Sequence, residues 1–201
     1  IAIPNAGSEY LQAGLSAALE LAALGLDCLV LDANEPGFGA STRSGGMVSG
    51  GVNVGKRYLS KPMPADQAAP FMADAADAFT LIEDLINREK IDCGWTKAGY
   101  FLGAWCKSHY DDMAKKVEHL NAAAKADSYL VPQERQREEI GSDYYRGGMV
   151  VGRAAHIHPA LFFKGLLELC QKRGVKIASQ TPVTKLTQTA KGWSVETPRG
   201  T

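Results

Sequence analysis

The sequence predicts an α/β fold that opens with a compact β-α-β unit and continues, after a glycine- and serine-rich loop, into a different α+β region. Three observations predict it. Residues 14–24 read as an amphipathic helix, with Leu15, Ala18, Leu19 and Ala22 at i, i+3, i+4 and i+7 on one apolar face, and Gly25 as its stop. Within three residues comes a short apolar strand, Cys28-Leu29-Val30-Leu31, that ends on an acid, Asp32. Much later, residues 159–173 form a second strong helix, with Pro159 at its start and Gly174 just past its end, followed by Val175-Lys176-Ile177 as strand. A first strand is expected at residues 1–3, cut short by Pro4.

An apolar strand that ends in a carboxylate downstream of a helix is the arrangement that holds a ribose in dinucleotide-binding units. The strand end aims the acid, and the acid accepts hydrogen bonds from sugar hydroxyls. Asp32 lies 18 residues after Gly14, near the roughly 20 that separate a nucleotide-binding turn from its ribose acid. Taken alone, Asp32 reads as a solvated turn carboxylate; its flanks favour the nucleotide. Beyond it, Pro36-Gly37-Phe38-Gly39 and Ala40-Ser41-Thr42-Arg43-Ser44-Gly45-Gly46 form a loop whose glycines let backbone N–H groups approach a phosphate or a ring closely. The entry to the helix departs from G-x-G-x-x-G. An ungapped count from Gly14 puts Glu9 and Leu11 where glycines belong, whereas aligning Asn5-Ala6-Gly7 with the first G-x-G leaves a gap of six residues before Gly14. The gapped alignment, with Gly7 and Gly14 as the retained glycines, is preferred.

Between the two helices the pattern changes. Residues 61–69, rich in Pro, Ala and polar side chains, read as a connection, and 68–89 as an amphipathic helix carrying Phe71, Phe79, Ile82 and Ile86. Gly99 to Gly103 reads as a strand, 108–125 as a helix with Met113, Val117 and Leu120 on its apolar side, and Tyr129-Leu130-Val131 as a short strand. A short helix is expected from Pro132, and 141–151 is expected to turn twice through Gly147-Gly148. Trp193 to Thr197 alternates as a strand, and the chain ends in what reads as a hairpin. Opening on Ile1 rather than Met, it is expected to be part of a longer protein.

Composition excludes several classes. The 201 residues carry 22 basic and 22 acidic side chains, a balance that favours neither nucleic acid nor an anionic membrane as partner. No apolar run approaches spanning length. Cys28, Cys93, Cys106 and Cys170 lack paired spacing and read as reduced, mostly buried thiols of a cytoplasmic protein, not as a disulfide frame or zinc site. His156 and His158 read as turn residues ahead of Pro159; no metal site is expected. The mixed-sign run from Glu134 to Glu139 reads as an exposed helix face, and Tyr100, Phe101 and Trp105 read as core aromatics ahead of pocket lining.

The chain resembles the D-amino-acid oxidase-like family of FAD-dependent amine oxidoreductases and, within it, the glycine oxidase and gamma-glutamylputrescine oxidase type. Four segments carry the resemblance: Gly14 to Ala22, Gly37 to Gly46, Ile140 to Gly148, and His156-Ile157-His158-Pro159 with the helix after it. The resemblance implies a Rossmann-like FAD-binding domain (a ββα three-layer sandwich) with an inserted α+β substrate domain, incomplete at the C-terminus. Residues 1–60 and 150–201 would be two pieces of the first, and 61–149 part of the second. It implies FAD as cofactor, with Asp32 on the adenosine ribose and Ala33 beside it. Ala40, Ser41, Arg43, Ser44, Gly45, Gly46 and Met47 would line the pyrophosphate and isoalloxazine. The backbone of Val183 would meet the adenine, and Gly7 and Gly14 would hold the pyrophosphate at a helix N-terminus. Outside the resemblance, Arg43 reads as a surface cation.

The implied reaction is oxidation of a C–N bond of an amino acid or other small-molecule amine to an imine, by hydride transfer to flavin N5. The sequence singles out no catalytic side chain and no oligomeric state, and this chain alone is expected to be inactive because it is incomplete. Two other readings stay open. One is a non-catalytic or cofactor-free homologue or fragment that has lost the FAD-binding turn, for which the altered residues before Gly14 are the evidence. The other is an NAD(P)-dependent dehydrogenase sharing only the β-α-β unit, which would continue in alternating strands and helices after Asp32.

Overall fold

The computed structural model describes residues 11–49, 64–190 and 192–201. The expected strand at 1–3, the turn at Gly7 and the first part of the connection from residue 61 lie outside the described residues. In chain order the elements are helix α1 (Leu11–Ala23), strands β1 (Leu29–Leu31) and β2 (Met47–Ser49), helix α2 (Ala65–Glu89), strand β3 (Tyr100–Gly103), helix α3 (Lys107–Ala124), strands β4 (Ser128–Val131), β5 (Gly148–Val151) and β6 (Ala154–His156), helix α4 (Pro159–Lys172), and strands β7 (Lys176–Ala178), β8 (Lys185–Thr189) and β9 (Gly192–Glu196). Short 3-10 helices occupy Ala40–Thr42 and Gln133–Glu138. The chain divides into two units. The first comprises Ile1–Gly46, Glu89–Gly94 and His158–Thr201, and the second Met47–Arg88 and Trp95–Ile157.

The core of the first unit is the packing of α1 on α4. Leu11, Gly14, Leu15, Ala18 and Leu19 are the buried positions of α1, and Phe162, Phe163, Leu166, Leu169 and Cys170 those of α4. Both sets follow helical spacing, so each helix offers one stripe. The buried Cys170 thiol donates to the Leu15 carbonyl at 3.4 Å, and burial pushes it up to about 11, an inert thiol. Gly25, at φ +79, ends the first helix by a tight turn that lets the chain enter β1. Strand β1 pairs in parallel with β7, Val30 opposite Ile177, and Val30 is fully buried. Parallel neighbours need a long crossover, and here it is everything between residues 31 and 176. His158 caps α4: its Nδ1 accepts the Leu161 N–H at 3.4 Å, with Pro159 in the first turn. Strands β8 and β9 form an antiparallel hairpin that leaves Trp193 65% exposed.

In the second unit, β5 is the centre of an antiparallel three-stranded sheet, paired with β3 on one side and β4 on the other. Helix α3 packs Leu120 and Ala124 against Met149, Val151, Ala126 and Ala154. Strand β2 pairs with β6, Met47 opposite His156. Along α2, Ala76, Phe79 and Ile86 are buried. The Arg153 guanidinium lies 4.9 Å from the Phe79 ring centroid and donates to Thr80 Oγ1 at 2.6 Å.

The structure corrects several expectations. Residues 141–151 do not merely turn. Gly147, at φ +77, makes a turn, but Gly148-Met149-Val150-Val151 is a fully buried strand. A strand covered on both faces shows no alternation, and Gly148 is where the backbone of β3 comes too near for a side chain. Trp105 is exposed rather than core, in edge-to-face contact with Tyr144 and Tyr145 at 5.5 and 5.9 Å. His156 lies within β6 and not in a turn. The run 134–139 is largely exposed as expected, except that Gln136 turns inward and accepts the Gly147 N–H at 3.3 Å. Cys28, Cys93 and Cys170 are buried free thiols and Cys106 is an exposed one.

Candidate cofactor site

The carboxyl ends of parallel strands are where α/β sheets place ligands, and the two parallel strands of the first unit end side by side. Strand β1 runs into Asp32, whose N–H donates to the Ala178 carbonyl at 2.9 Å, at the end of β7. The chain after β7 then returns to the same acid. Thr181 donates its N–H to the Asp32 carbonyl at 2.8 Å, and Gln180 donates to the Asn34 carbonyl at 3.2 Å. These bonds bring Val183, half-buried two residues beyond Thr181, to the same strand end as Asp32 and Ala33.

Asp32 is only 4% exposed. Its Oδ1 accepts the Asn34 N–H at 2.8 Å, while Oδ2 is buried without a hydrogen-bond partner. Burial pushes this carboxyl above its ordinary range; the Asn34 N–H opposes the rise and the nearby Glu35 charge adds to it. A buried carboxylate oxygen without a donor is expensive, and a hydroxyl-bearing ligand would relieve it. The residues at this strand end therefore fit the ribose of a dinucleotide such as FAD.

The loop after Asp32 is a series of tight turns. Phe38 N–H donates to the Glu35 carbonyl at 3.0 Å, and Thr42 Oγ1 donates to the Gly37 carbonyl at 2.6 Å. Gly37 takes φ +90, and a Cβ there would stand 3.0 Å from the Phe163 ring of α4. So glycine is required at this position both by its backbone and by its close approach. Ser41 is buried and its Oγ accepts the Gln12 N–H from α1 at 3.3 Å. The loop is thus fastened to both helices of the unit, and Gly14 is buried further along α1. Ala40, Arg43, Ser44 and Gly45 are exposed, whereas Gly46 is buried. Open space surrounds Gly45 where a side chain would be. Met47 belongs to the second unit, where it begins β2 and is exposed.

Of the residues singled out in the sequence, Asp32 and Ala33 follow β1, Val183 comes two residues after the Thr181 that bonds Asp32, and Ala40, Ser41, Arg43, Ser44, Gly45 and Gly46 share one fastened loop. Gly7 lies outside the described residues. Thr42, Thr181 and Phe38 were not singled out, although they hold this region. A threonine hydroxyl bonded within its own turn leaves no sequence spacing to find, and neither does a backbone N–H donated across 149 positions by Thr181. Among the described residues no group of His, Cys, Asp and Glu is placed to hold a metal, and no helix is long and apolar enough to cross a membrane.

The geometry defines a class: an α/β protein whose parallel strands β1 and β7 end at a buried carboxylate, Asp32. Known proteins narrow the class. The family model described as FAD dependent oxidoreductase matches residues 13–201, and the chain belongs to that family. The probable oxidoreductase OrdL of Haemophilus influenzae is 33% identical over 177 residues, covering 87% of this chain and 41% of that protein. Gamma-glutamylputrescine oxidoreductase of Escherichia coli is 28% identical over 176 residues, covering 88% of this chain and 41% of that one. The crystal structure of glycine oxidase from Geobacillus kaustophilus matches with a TM-score of 0.74 at 19% identity, over 99% of this chain and 51% of that one. At that identity the match speaks for the fold alone. The fold is that of the N-terminal half of the family, and the chain spans about two fifths of the length of the curated relatives it matches.

Proposed function

We propose that this chain is the cofactor-binding portion of an FAD-dependent oxidoreductase that oxidises a C–N bond of a small amine or amino acid to an imine. The observation that carries the cofactor reading is the buried Asp32 carboxylate, with an unpartnered oxygen at the carboxyl end of β1. The substrate class rests on the resemblance and on one relative, an oxidoreductase named for the amine gamma-glutamylputrescine. Bound FAD would supply the hydride acceptor, at flavin N5.

This chain's residues bind and orient. Asp32 Oδ2 accepts from a ribose hydroxyl, Ala33 flanks it, and the backbone at Val183 faces the adenine. Gly7 and Gly14 take the diphosphate at the α1 end, where the helix dipole favours an anion. The Ser44 N–H is spent on the Ala40 carbonyl at 3.1 Å, so it is the exposed Gly45 backbone that meets the flavin-bearing half, and the Arg43 cation offsets negative charge. Ala40, Ser41, Gly46 and Met47 complete the lining. The first unit then serves as the FAD-binding domain, a Rossmann-like ββα sandwich, and the second as part of an inserted α+β substrate domain. The free thiols fit a reducing compartment, and we place the protein in the cytoplasm. Membership of a family described as FAD dependent favours flavin over nicotinamide.

The test is the visible spectrum of purified full-length protein before and after anaerobic addition of a panel of amines and amino acids. A yellow protein that bleaches with one of them supports the reading and identifies the substrate class. A flavin that no amine or amino acid reduces contradicts the proposed reaction.

A further inference from the structure

Phe38 stands between Gly37 and Gly39 with 56% of its surface exposed, in a loop of otherwise small or polar residues. An aromatic ring left in water forgoes the stabilisation of burial, so its position needs a cause. Arg43 provides one: its guanidinium carbon lies 4.9 Å from the Phe38 ring centroid, within cation–π range. Among the described residues this ring is the guanidinium's only partner. The loop backbone is held independently, by Phe38 N–H on the Glu35 carbonyl and Arg43 N–H on the Ala40 carbonyl, both at 3.0 Å, and by Thr42 Oγ1 on the Gly37 carbonyl at 2.6 Å. Those bonds fix the two Cα positions but do nothing for the long Arg43 side chain, whose rotamer freedom is large. The ring does. Attraction to a ring face uses the cation's charge and leaves its N–H donors available.

We propose that Phe38 is a positioning residue for the cofactor: it holds the Arg43 guanidinium in one place, with its donors free for an anionic group of the bound dinucleotide. The proposal rests on the FAD reading above. Preorganising one side chain lowers the entropy that binding must overcome, so the effect belongs in FAD affinity and depends on Arg43 being present.

The experiment is an FAD titration of full-length apo-protein, followed by flavin fluorescence, for wild type, Phe38→Leu, Phe38→Trp, Arg43→Gln and the Phe38→Leu/Arg43→Gln double variant. Melting temperatures of the apo-proteins are measured alongside. Phe38→Leu is expected to weaken binding about two- to fivefold with an unchanged melting temperature, and Phe38→Trp to restore it. In the Arg43→Gln background, Phe38→Leu should cost nothing further. Equal binding by wild type and Phe38→Leu, equal losses in both backgrounds, or failure of Trp to restore binding overturns the proposal while leaving the FAD reading intact. A wild-type protein that binds no FAD overturns both.

Discussion

Asp32 carries opposing demands. With its carboxyl raised by burial, the folded apo-protein holds a proton more readily than the unfolded chain does. Its stability therefore falls as pH rises from the unfolded value, near 3.8, through the raised folded one. Asp32→Asn removes the charge and keeps an acceptor for the Asn34 N–H. We expect it to raise the apo melting temperature at pH 7 by about 2 °C, on the ~1 kcal/mol scale at which functional sites trade stability for activity. The same variant should weaken FAD binding by about tenfold, since hydrogen bonds to charged groups are worth ~1.5–3 kcal/mol. Scanning calorimetry and a flavin titration on one preparation read both; a variant less stable than wild type and equal in affinity would refute this account of Asp32. The acid was legible because strand, acid and helix lie within 20 residues of one another. The Phe38–Arg43 contact was not, because it depends on where the Arg43 side chain folds back, which no spacing rule encodes.

The helices were legible, and so were β1, β3, β4, β7 and β9, whereas β2, β5 and β6 were not. The α1 and α4 stripes repeat over several turns, so their periodicity is strong, and they pack as that periodicity requires. Leu166, fully buried in α4, is expected to cost about 2–5 kcal/mol when replaced by Ala, read as a lower urea midpoint. Strands β2 and β6 have three residues each, too few for an alternation of period two to show, while β1 and β7, equally short, were marked by the helices and turn glycines before them. Strand β5 was hidden differently. Gly147-Gly148 carries a turn signal, and only the first glycine turns; the second admits the β3 backbone. A Cβ at Gly148 would press on the Leu102 carbonyl oxygen and the Phe101 ring. Gly148→Ala is therefore expected to destabilise by about 1–3 kcal/mol, as overpacking does, again read by urea unfolding. An unchanged midpoint would mean that β3 and β5 stand further apart than described.

At the scale of the whole molecule, the first unit is assembled from three separate stretches of chain. Pairing of β1 with β7 joins residues more than 140 positions apart, and no local pattern shows such a pairing. It was the resemblance of His156-Ile157-His158-Pro159, with the helix after it, that pointed to a return of the chain. Net charge gives no lead at this scale, since basic and acidic residues balance at 22 each. What remains is the proposal that the strand ends at Asp32 hold a dinucleotide. The most direct test is equilibrium titration of FAD into full-length apo-protein, wild type beside Asp32→Ala. We expect one flavin bound per chain by the wild type and binding at least about tenfold weaker in the variant. A wild type that takes up no flavin, or a variant that binds it equally well, would contradict the assignment of this site.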